Sequence, residues 1–207
     1  MKLPALLLLL PLTVPTLFLH AQGPNDDWNQ DRRPEATSQR KFISGGTIRL
    51  YLEAGGYTIR PSDSENIVIT YRANSRGSLE RVKVDIQAGP STAEVRVADT
   101  PDNKFDAIID VPRLSNLWVR LTAGELNVEA VQGDKNLEIR AGDLQVEIPH
   151  PEEYGHRDAS VTMGGLDASA FDVSKGGMFR SFEQQGPGKY RLHAHVLTGD
   201  VNLHGSE

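Results

Sequence analysis

Two histidines on one predicted strand have the clearest capacity for chemistry in this sequence. His193 and His195 are separated by one residue, so on a β-strand both imidazoles project from the same face, about 7 Å apart at Cα. Such a pair can bind zinc, and His204 or a nearby carboxylate could add a third ligand. The residues that alternate with the two histidines are apolar, however, and a zinc site needs three or four converging ligands. We therefore expect a solvated face here and predict no metal site.

A second polar cluster lies in a proline-containing stretch near residue 150. Its members are His150, Glu152, Glu153, His156 and Asp158. Zinc-protease motifs place two histidines four residues apart on a helix, but the prolines and the glycine of this stretch disfavour a helix. The tripeptide 156–158 also matches the catalytic loop of protein kinases, although no phosphate-binding glycine loop or strand lysine accompanies it. The pattern is typical of a solvated loop.

Carboxylates are abundant in the segments that alternate like strands: Asp85, Glu94, Asp106, Asp110, Glu129, Glu138 and Glu147. Glycoside hydrolases need two such groups about 5 to 10 Å apart in a cleft. Here the acids alternate with basic residues, as Glu138 does with Arg140, which indicates a charged solvent face. We therefore predict no catalytic residue and no cofactor site. A carbohydrate-active enzyme on a β-solenoid is kept as an alternative, which two carboxylates converging in one groove would favour.

Composition excludes several other functions. The 207 residues include no cysteine, which excludes disulfides, thiolate metal sites and a cysteine nucleophile. The formal net charge of -6 argues against a protein that neutralises nucleic-acid phosphates over a broad surface. Hydrophobic residues make up 38% of the chain, enough for one core, whereas aromatic residues make up only 6%, which leaves few anchors for a deep ligand pocket.

The N-terminus has the three-part pattern of a secretory signal peptide. Lys2 precedes an apolar stretch over residues 3–19, and the small residue Ala21 offers a cleavage site. We predict a signal peptide over residues 1–21 and no stable transmembrane span in the mature chain; an uncleaved membrane anchor is the alternative. Residues 22–41 are polar, contain two prolines and show no strand or helix period, so we predict a flexible linker there.

From residue 42 onward, apolar residues alternate with polar ones. Ile48, Leu50 and Leu52 set the pattern, which recurs as far as Leu203 without a helical interval. Alternation with period two is typical of strands that bury one face. We therefore predict a single all-β domain over residues 42–207.

Short corners that contain glycine connect many of these segments. Gly124, Gly142, Gly164 and Gly199 each stand two residues before an apolar residue that restarts the alternation, at separations of 18, 22 and 35 residues. Short strands joined by regularly spaced glycine corners predict a β-solenoid-like stack. An antiparallel sandwich with glycine turns is the alternative. The longer strands and poorer repeats of residues 42–111 favour a sheet-like cap for the first half.

Residues 109–149 carry the motifs of a known family. A strand ends in Val111 and Pro112, and another strand follows. Glycine–acid corners then recur before alternating apolar residues: Gly124–Glu125, Gly133–Asp134, Gly142–Asp143 and Gly199–Asp200. In these motifs the chain resembles the putative adhesin family of bacterial exported proteins, over residues 42–207 with an interruption at 150–195. The resemblance implies an exported β-solenoid without a known active site.

Together these features predict a non-catalytic exported domain of the bacterial cell envelope that acts by surface contact, either in the periplasm or at the cell surface. A glycan or an envelope protein is its expected partner, and the sequence leaves the oligomeric state open. Besides the carbohydrate-active enzyme, the alternative is a periplasmic structural or signalling module. In that module an exposed last strand at residues 201–203 would pair with another chain.

Overall fold

Almost every regular element of the computed structural model is a β-strand. The structure describes residues 32–101, 104–175 and 178–205. The predicted signal peptide and residues 22–31 of the predicted linker lie outside these described residues. Within them, the prediction of an all-β chain is confirmed.

The strands are β1 (Glu35–Lys41), β2 (Thr47–Leu52), β3 (Gly55–Ser62), β4 (Asn66–Arg72), β5 (Lys83–Ala88), β6 (Thr92–Ala98), β7 (Asp106–Pro112), β8 (Asn116–Val128), β9 (Lys135–Glu147), β10 (Tyr154–Met163), β11 (Leu166–Ala168), β12 (Val173–Lys175), β13 (Met178–Gln185), β14 (Tyr190–Thr198) and β15 (Val201–His204). Between them lie a short helix, α1 (Arg76–Leu79), and two 3₁₀ turns, Pro151–Glu153 and Ser169–Phe171. No helix in the described ranges is long and apolar enough to cross a membrane.

Residues 35–41 correct the predicted extent of the flexible linker. They form β1, which runs antiparallel to β4 from the Glu35–Arg72 pair to the Lys41–Asn66 pair. The Glu35 carboxylate accepts a hydrogen bond of 2.8 Å from Nε of the buried Arg72. The prediction was wrong here because β1 is an edge strand whose side chains are polar and largely exposed, so no apolar alternation reveals it.

Bends at glycine divide β8 and β9 between two layers of strands. Their first halves, residues 116–121 and 135–140, pair with β2 and β14, whereas the second halves, from Gly124 and Gly142 onward, pair with β3 and β15. We call the layer β5-β6-β2-β8-β9-β14-β10-β13 the aromatic layer. The layer β1-β4-β7-β3-β8-β9-β15-β11-β12 is the amide layer. Together the described strands form one open, mixed sheet.

Parallel pairing runs through the centre of both layers. It joins β6, β2, β8, β9, β14 and β10 in the aromatic layer, and β7, β3, β8, β9, β15 and β11 in the amide layer. Within the region predicted as a cap, β2, β3, β6 and β7 thus continue this parallel pairing, while β4 pairs antiparallel with β7 and β5 pairs antiparallel with β6. The last strand is not the exposed edge that the periplasmic-module hypothesis requires, because β15 lies between β9 and β11.

Inward side chains of the two layers form a single apolar core. Its members, each at most 1% exposed, include Leu50, Val119, Ile139 and Val196 from the aromatic layer and Ile59, Leu126, Val146 and Leu203 from the amide layer. Along β8 the buried positions shift from odd to even numbers between Leu121 and Leu126. The bend at Gly124 therefore turns both halves of the strand toward the same core.

Neighbouring corners approach so closely that only glycine fits. Gly124, Gly142 and Gly199 have φ angles of +117°, +125° and +130°, which residues with a Cβ rarely adopt. An ideal Cβ on Gly142 would lie 1.8 Å from the carbonyl oxygen of Gly124, and one on Gly199 would lie 2.0 Å from that of Gly142. These contacts fix the register of each turn on the next.

Side-chain oxygens at the corners link the same turns. Asp143 Oδ1 accepts a hydrogen bond of 2.9 Å from the backbone N–H of Asp200. Near the starts of β8, β9 and β14, Asn116 Oδ1 accepts from the N–H of Asp134, and Asp134 Oδ1 accepts from the N–H of Arg191, both at 2.9 Å. The aspartates of the glycine–acid corners thus satisfy backbone donors at the turns, where the strand ladders are interrupted.

A buried lysine, Lys135, follows the Gly133–Asp134 corner. The equivalent position after the Gly124–Glu125 and Gly142–Asp143 corners is a leucine. Lys135 is only 2% exposed, and its Nζ donates to the carbonyl oxygen of Val131 at 2.6 Å and hydrogen-bonds the hydroxyl of Tyr154. Burial lowers the pKa of Lys135 to about 7. As a neutral amine, Nζ can donate to the carbonyl and accept from the tyrosine hydroxyl, so both side chains keep hydrogen-bond partners.

Replacement of Gly142 by valine tests the corner constraint. We expect the free energy of unfolding to fall by about 3 kcal/mol or more, because valine would combine an unfavourable φ with overlap against the Gly124 backbone. For a chain of this size the midpoint of thermal unfolding should fall by roughly 6–12 °C. Gly77→Val is the matched control, since Gly77 is exposed in α1 and an added Cβ meets no atom within 4 Å. Equal melting temperatures for Gly142→Val and the wild type would contradict the corner assignment.

The buried amine of Lys135 should make stability rise with pH. Its folded-state pKa of about 7 lies below its ordinary value of 10.5, so between these values the unfolded chain binds a proton that the folded chain does not. The cost of burial is greatest below pH 7 and disappears as the pH approaches 10.5. Urea unfolding at pH 7.5, 8.5 and 9.5 should show the wild type gaining up to about 1.4 kcal/mol per pH unit relative to Lys135→Met. Lys41→Met, at an exposed lysine, should keep the wild-type profile; a Lys135→Met profile parallel to the wild type would refute the prediction.

Candidate functional site

In-register pairing aligns the outward side chains of the aromatic layer in two rows that cross seven strands. Starting from β6, the first row is Glu94, Arg49, Trp118, Asn136, His193, Asp158 and Glu183. The second row is Arg96, Tyr51, Arg120, Glu138, His195, Ser160 and Ser181. The residues that alternate with these positions are buried in the core, so both rows lie on the outer surface.

Aromatic rings and guanidinium groups stack at the centre of the two rows. The Arg120 guanidinium lies over the Trp118 ring, 3.9 Å from its centroid, and Arg96 lies over the Tyr51 ring at 4.4 Å. The two rings meet edge to face, with centroids 5.2 Å apart. Arg120 also pairs with Glu138, whose Oε1 is 2.5 Å from Nη2. Burial lowers the pKa of Arg120 and the Glu138 carboxylate partly offsets this effect, so the guanidinium remains a cation between the ring and the carboxylate.

A groove of about 440 Å³ opens beside Trp118 on this face. Its size falls within the range of about 300–1,000 Å³ typical of small-molecule sites. Its lining includes the ring of Trp118, the neutral polar residues Thr47, Asn116 and Asn136, and the charged or titratable residues Asp134, Asp158, Arg191, His156 and His193. One aromatic ring and several groups able to form hydrogen bonds therefore face the same space.

Asp158 lies between two histidines in this groove. Its Oδ2 is 2.6 Å from His193 Nδ1, and its Oδ1 is 3.3 Å from His156 Nε2. His156 Nδ1 in turn lies 2.6 Å from Nε2 of Gln185. When the His193 imidazole is neutral and Nδ1–H is donated to the carboxylate, its Nε2 is left as an acceptor for a ligand.

The structure corrects the interpretation of residues 150–158 as a solvated loop. Residues 154–163 form β10, an interior strand between β14 and β13, and this strand brings His156 and Asp158 into the groove. His150 and Glu152 remain exposed, as a pair 3.3 Å apart. The alternation of residues 159–163 was recognised, whereas the first half of the strand escaped prediction because residues 155–158 are glycine or polar and regular alternation of burial begins only at Ala159.

His193 and His195 share the outer face, as predicted, but they bind different partners. His195 Nδ1 lies 2.8 Å from Ser160 Oγ, whereas His193 contacts Asp158. His204 belongs to β15 in the amide layer. Among the residues that the structure describes, no group of three or more histidine, cysteine, aspartate or glutamate side chains could hold a metal ion. The pair thus contributes hydrogen-bonding groups to the face.

Ion pairs engage several of the acids that the sequence places on strands. The pairs are Asp106–Arg33 at 2.6 Å, Asp110–Arg60 at 2.9 Å, Glu94–Arg96 at 2.7 Å and Glu138–Arg120 at 2.5 Å. Two of these acids lie on β7 in the amide layer and two in the aromatic layer. They contribute to the charged outer faces. Of the other acids that the sequence places on strands, Glu129 lies near Glu147 and Asp110, and its burial raises the pKa of its carboxyl although Arg60 opposes this effect.

Two carboxylates, Asp134 and Asp158, do line the same groove, as the enzyme alternative requires. Asp134 accepts the backbone N–H of Arg191 and Asp158 is held by two histidines, so both are already engaged. The Ser160–His195 pair has the contact of a nucleophile with its base. Strand pairing on both sides of β10, however, occupies the backbone N–H groups that an oxyanion hole would use. Both carboxylates and the backbone donors of β10 are thus engaged within the protein.

Sequence reasoning did not single out Trp118, although its position carries a signal. The residues around it, Leu117, Val119 and Leu121, are all buried, so Trp118 occupies an outward position where the alternation calls for a polar side chain. Asn136 and Asp134 became site residues only through the pairing of β8 with β9.

Comparisons with known proteins relate the chain to others through its fold. No protein-family model matches the chain, and no curated protein has a significantly similar sequence. A putative cell adhesion protein from Clostridium sporogenes ATCC 15579 aligns with a TM-score of 0.51 at 11% identity, over 84% of this chain and 100% of that protein's chain. Two putative adhesins, from Parabacteroides merdae ATCC 43184 and Bacteroides fragilis NCTC 9343, align with TM-scores of 0.31 and 0.30 at 17% and 11% identity. These alignments cover 55% and 82% of this chain and 52% and 97% of the other chains. The likeness to the clostridial protein is a likeness of fold.

Proposed function

We propose that this protein is a non-catalytic, exported domain of the bacterial cell envelope that acts by surface contact through the outer face of the aromatic layer. The observation that carries the proposal is the pair of rows on that face. In them, tryptophan, tyrosine, arginine and histidine side chains from four of the seven strands, β6, β2, β8 and β14, lie on the same outer face. Aromatic residues and arginine are the types enriched at protein interfaces.

The contrast between the two outer faces supports this choice of surface. In the amide layer the corresponding row consists of Thr70, Ile108, Thr58, Asn127, Gln145, Asn202 and Asp167. It lacks both aromatic rings and basic groups, and the next row of that layer contains Arg60 and His204 but no aromatic ring beside them. The aromatic side chains that can anchor a partner thus lie in the rows of the aromatic layer.

A rigid, exported stack is the second part of the proposal. The parallel turns fixed by the glycine corners form a solenoid-like body, with the strands of residues 42–111 outside the parallel pairing as its cap. The signal-peptide pattern of residues 1–21 supports export, and the polar residues that follow it would tether the body to the place where it acts. The fold shared with the putative cell adhesion protein from Clostridium sporogenes supports the same role.

Binding to isolated cell envelopes tests the contact surface. In co-sedimentation with envelopes of the producing bacterium, we expect Arg49→Ala/His195→Ala to bind about tenfold more weakly than the wild type, equivalent to about 1.4 kcal/mol. Both residues lie on the aromatic layer but outside the groove. Asn127→Ala/Gln145→Ala, on the amide layer, is the matched control and should bind like the wild type. Equal losses for the two double variants, or no binding by the wild type, would overturn the proposal.

Protease digestion of intact producing cells determines the compartment. Cleavage of the chain on intact cells would place the contact at the cell surface. Protection until the outer barrier is opened would place it in the periplasm, with an envelope protein or glycan of that compartment as the partner. Recovery of the chain in the cytoplasmic fraction would overturn the exported role.

A further inference from the structure

We infer that the groove beside Trp118 binds a neutral saccharide unit, with a sugar ring stacked on the open face of the indole. This inference rests on the proposed contact function and names the ligand of that surface. It depends on three features of the groove: the orientation of the ring, the chemistry of the rim and the balance of charge.

One face of the indole is covered and the other faces the groove. Arg120, two residues after Trp118 on the same strand, lies over one face with its guanidinium carbon 3.9 Å from the ring centroid. The groove is lined by Thr47 and by Asn116, two residues before Trp118, so it meets the ring from the opposite side. The arginine holds the ring in place and leaves a flat apolar surface toward the groove.

A flat ring face of this kind suits the C–H groups of a sugar. The face of an aromatic ring carries negative charge density and attracts weakly positive hydrogens. A pyranose presents a patch of such C–H groups on one side and hydroxyl groups around its edge. Stacking therefore buries the apolar side of the sugar and leaves its hydroxyls directed at the walls of the groove.

Those walls offer both donors and acceptors, as hydroxyl groups require. With Nδ1–H of His193 donated to Asp158, Nε2 is an acceptor in the neutral imidazole and a donor in the imidazolium, so it can meet a hydroxyl in either form. Asn136 Oδ1 accepts from Arg120 at 3.0 Å, which leaves the amide N–H groups of Asn136 as donors. Thr47 can act in either role. An apolar ligand would leave these groups without partners in the groove, at a cost in free energy.

The balance of charge favours a neutral sugar over an acidic one. Asp134 and Asp158 place two carboxylates in the groove, and both would repel a uronic acid or a sugar phosphate. Of the cations, Lys135 points its amine into the protein, toward Val131 and Tyr154. Arg191 is then the main cation available to offset the two acids. An uncharged hydroxyl-rich ring fits this environment best.

Intrinsic fluorescence together with a glycan array tests the inference. The chain has two tryptophans, and Trp28 lies outside the described residues, so a Trp28→Phe background leaves Trp118 as the only indole reporter. We expect the full mature chain to bind at least one neutral oligosaccharide on an array that carries neutral and acidic glycans. We expect the same oligosaccharide in solution to shift the Trp118 emission.

Variants at the ring locate the binding. Trp118→Ala should weaken binding of the array hit at least tenfold. Trp118→Phe keeps a smaller ring in place and should weaken it by a smaller factor, which protects the test if the alanine variant unfolds. Asn127→Ala on the amide layer is the control and should bind like the parent. Absence of neutral hits, hits confined to acidic glycans, or binding that both Trp118 variants retain in full would each overturn the inference.

Envelope co-sedimentation separates the failure of this inference from the failure of the contact function. If the wild type sediments with envelopes but binds no neutral glycan, the saccharide site is wrong and the contact surface stands. If a neutral glycan binds in a Trp118-dependent manner but envelopes do not, the saccharide site stands and the envelope role is wrong.

Discussion

The close approach of backbones at the stacked glycine corners governs the rest of this structure. No Cβ fits between Gly142 and Gly124 or between Gly199 and Gly142, so each turn settles on its neighbour in one register. The carboxylate of Asp143 then satisfies a backbone donor at the same corner. A slip by one residue would break these contacts and exchange the inward and outward side chains of a strand. The corners therefore specify the core and the outer faces at the same time.

A fixed register brings distant segments together in regular rows. Trp118, Asn136, His193 and Asp158 lie on four adjacent strands, although β14 enters the layer between β9 and β10, out of chain order. Adjacent strands are separated by about 4.8 Å, so each row places one functional group at each such step. A surface of this kind can meet an extended partner at several points. The groove beside Trp118 adds one position where a ring can enter.

Local patterns in the sequence predicted the strands and the corners, because both depend on neighbouring residues. Alternation revealed most strands, and the glycine–acid repeats marked the bends at Gly124 and Gly142. The sequence did not predict which strands become neighbours, and the site depends on that order: His193 meets Asp158 only because β14 lies beside β10. Edge and polar strands such as β1 also escaped, since they bury too few apolar side chains to show a period. The burial of Lys135 was missed because a lysine is normally predicted to be exposed. Its hydrogen-bond partner Tyr154 lies 19 residues away in the sequence, so no local pattern indicated the contact.

The same constraint bears on the contact function that we propose for this face. A hydrolytic site needs backbone donors and carboxyl groups that are free to act on a substrate. Here the backbone donors around Ser160 are used in strand pairing, and Asp134 is used to hold the turn at Arg191. On the outer face, the groups that can contact a ligand are the ring of Trp118 and the polar side chains of the same row. Those groups can bind a ligand without altering it. The fixed strand register that stabilises the core therefore also sets the spacing of the groups that the proposed contact surface uses.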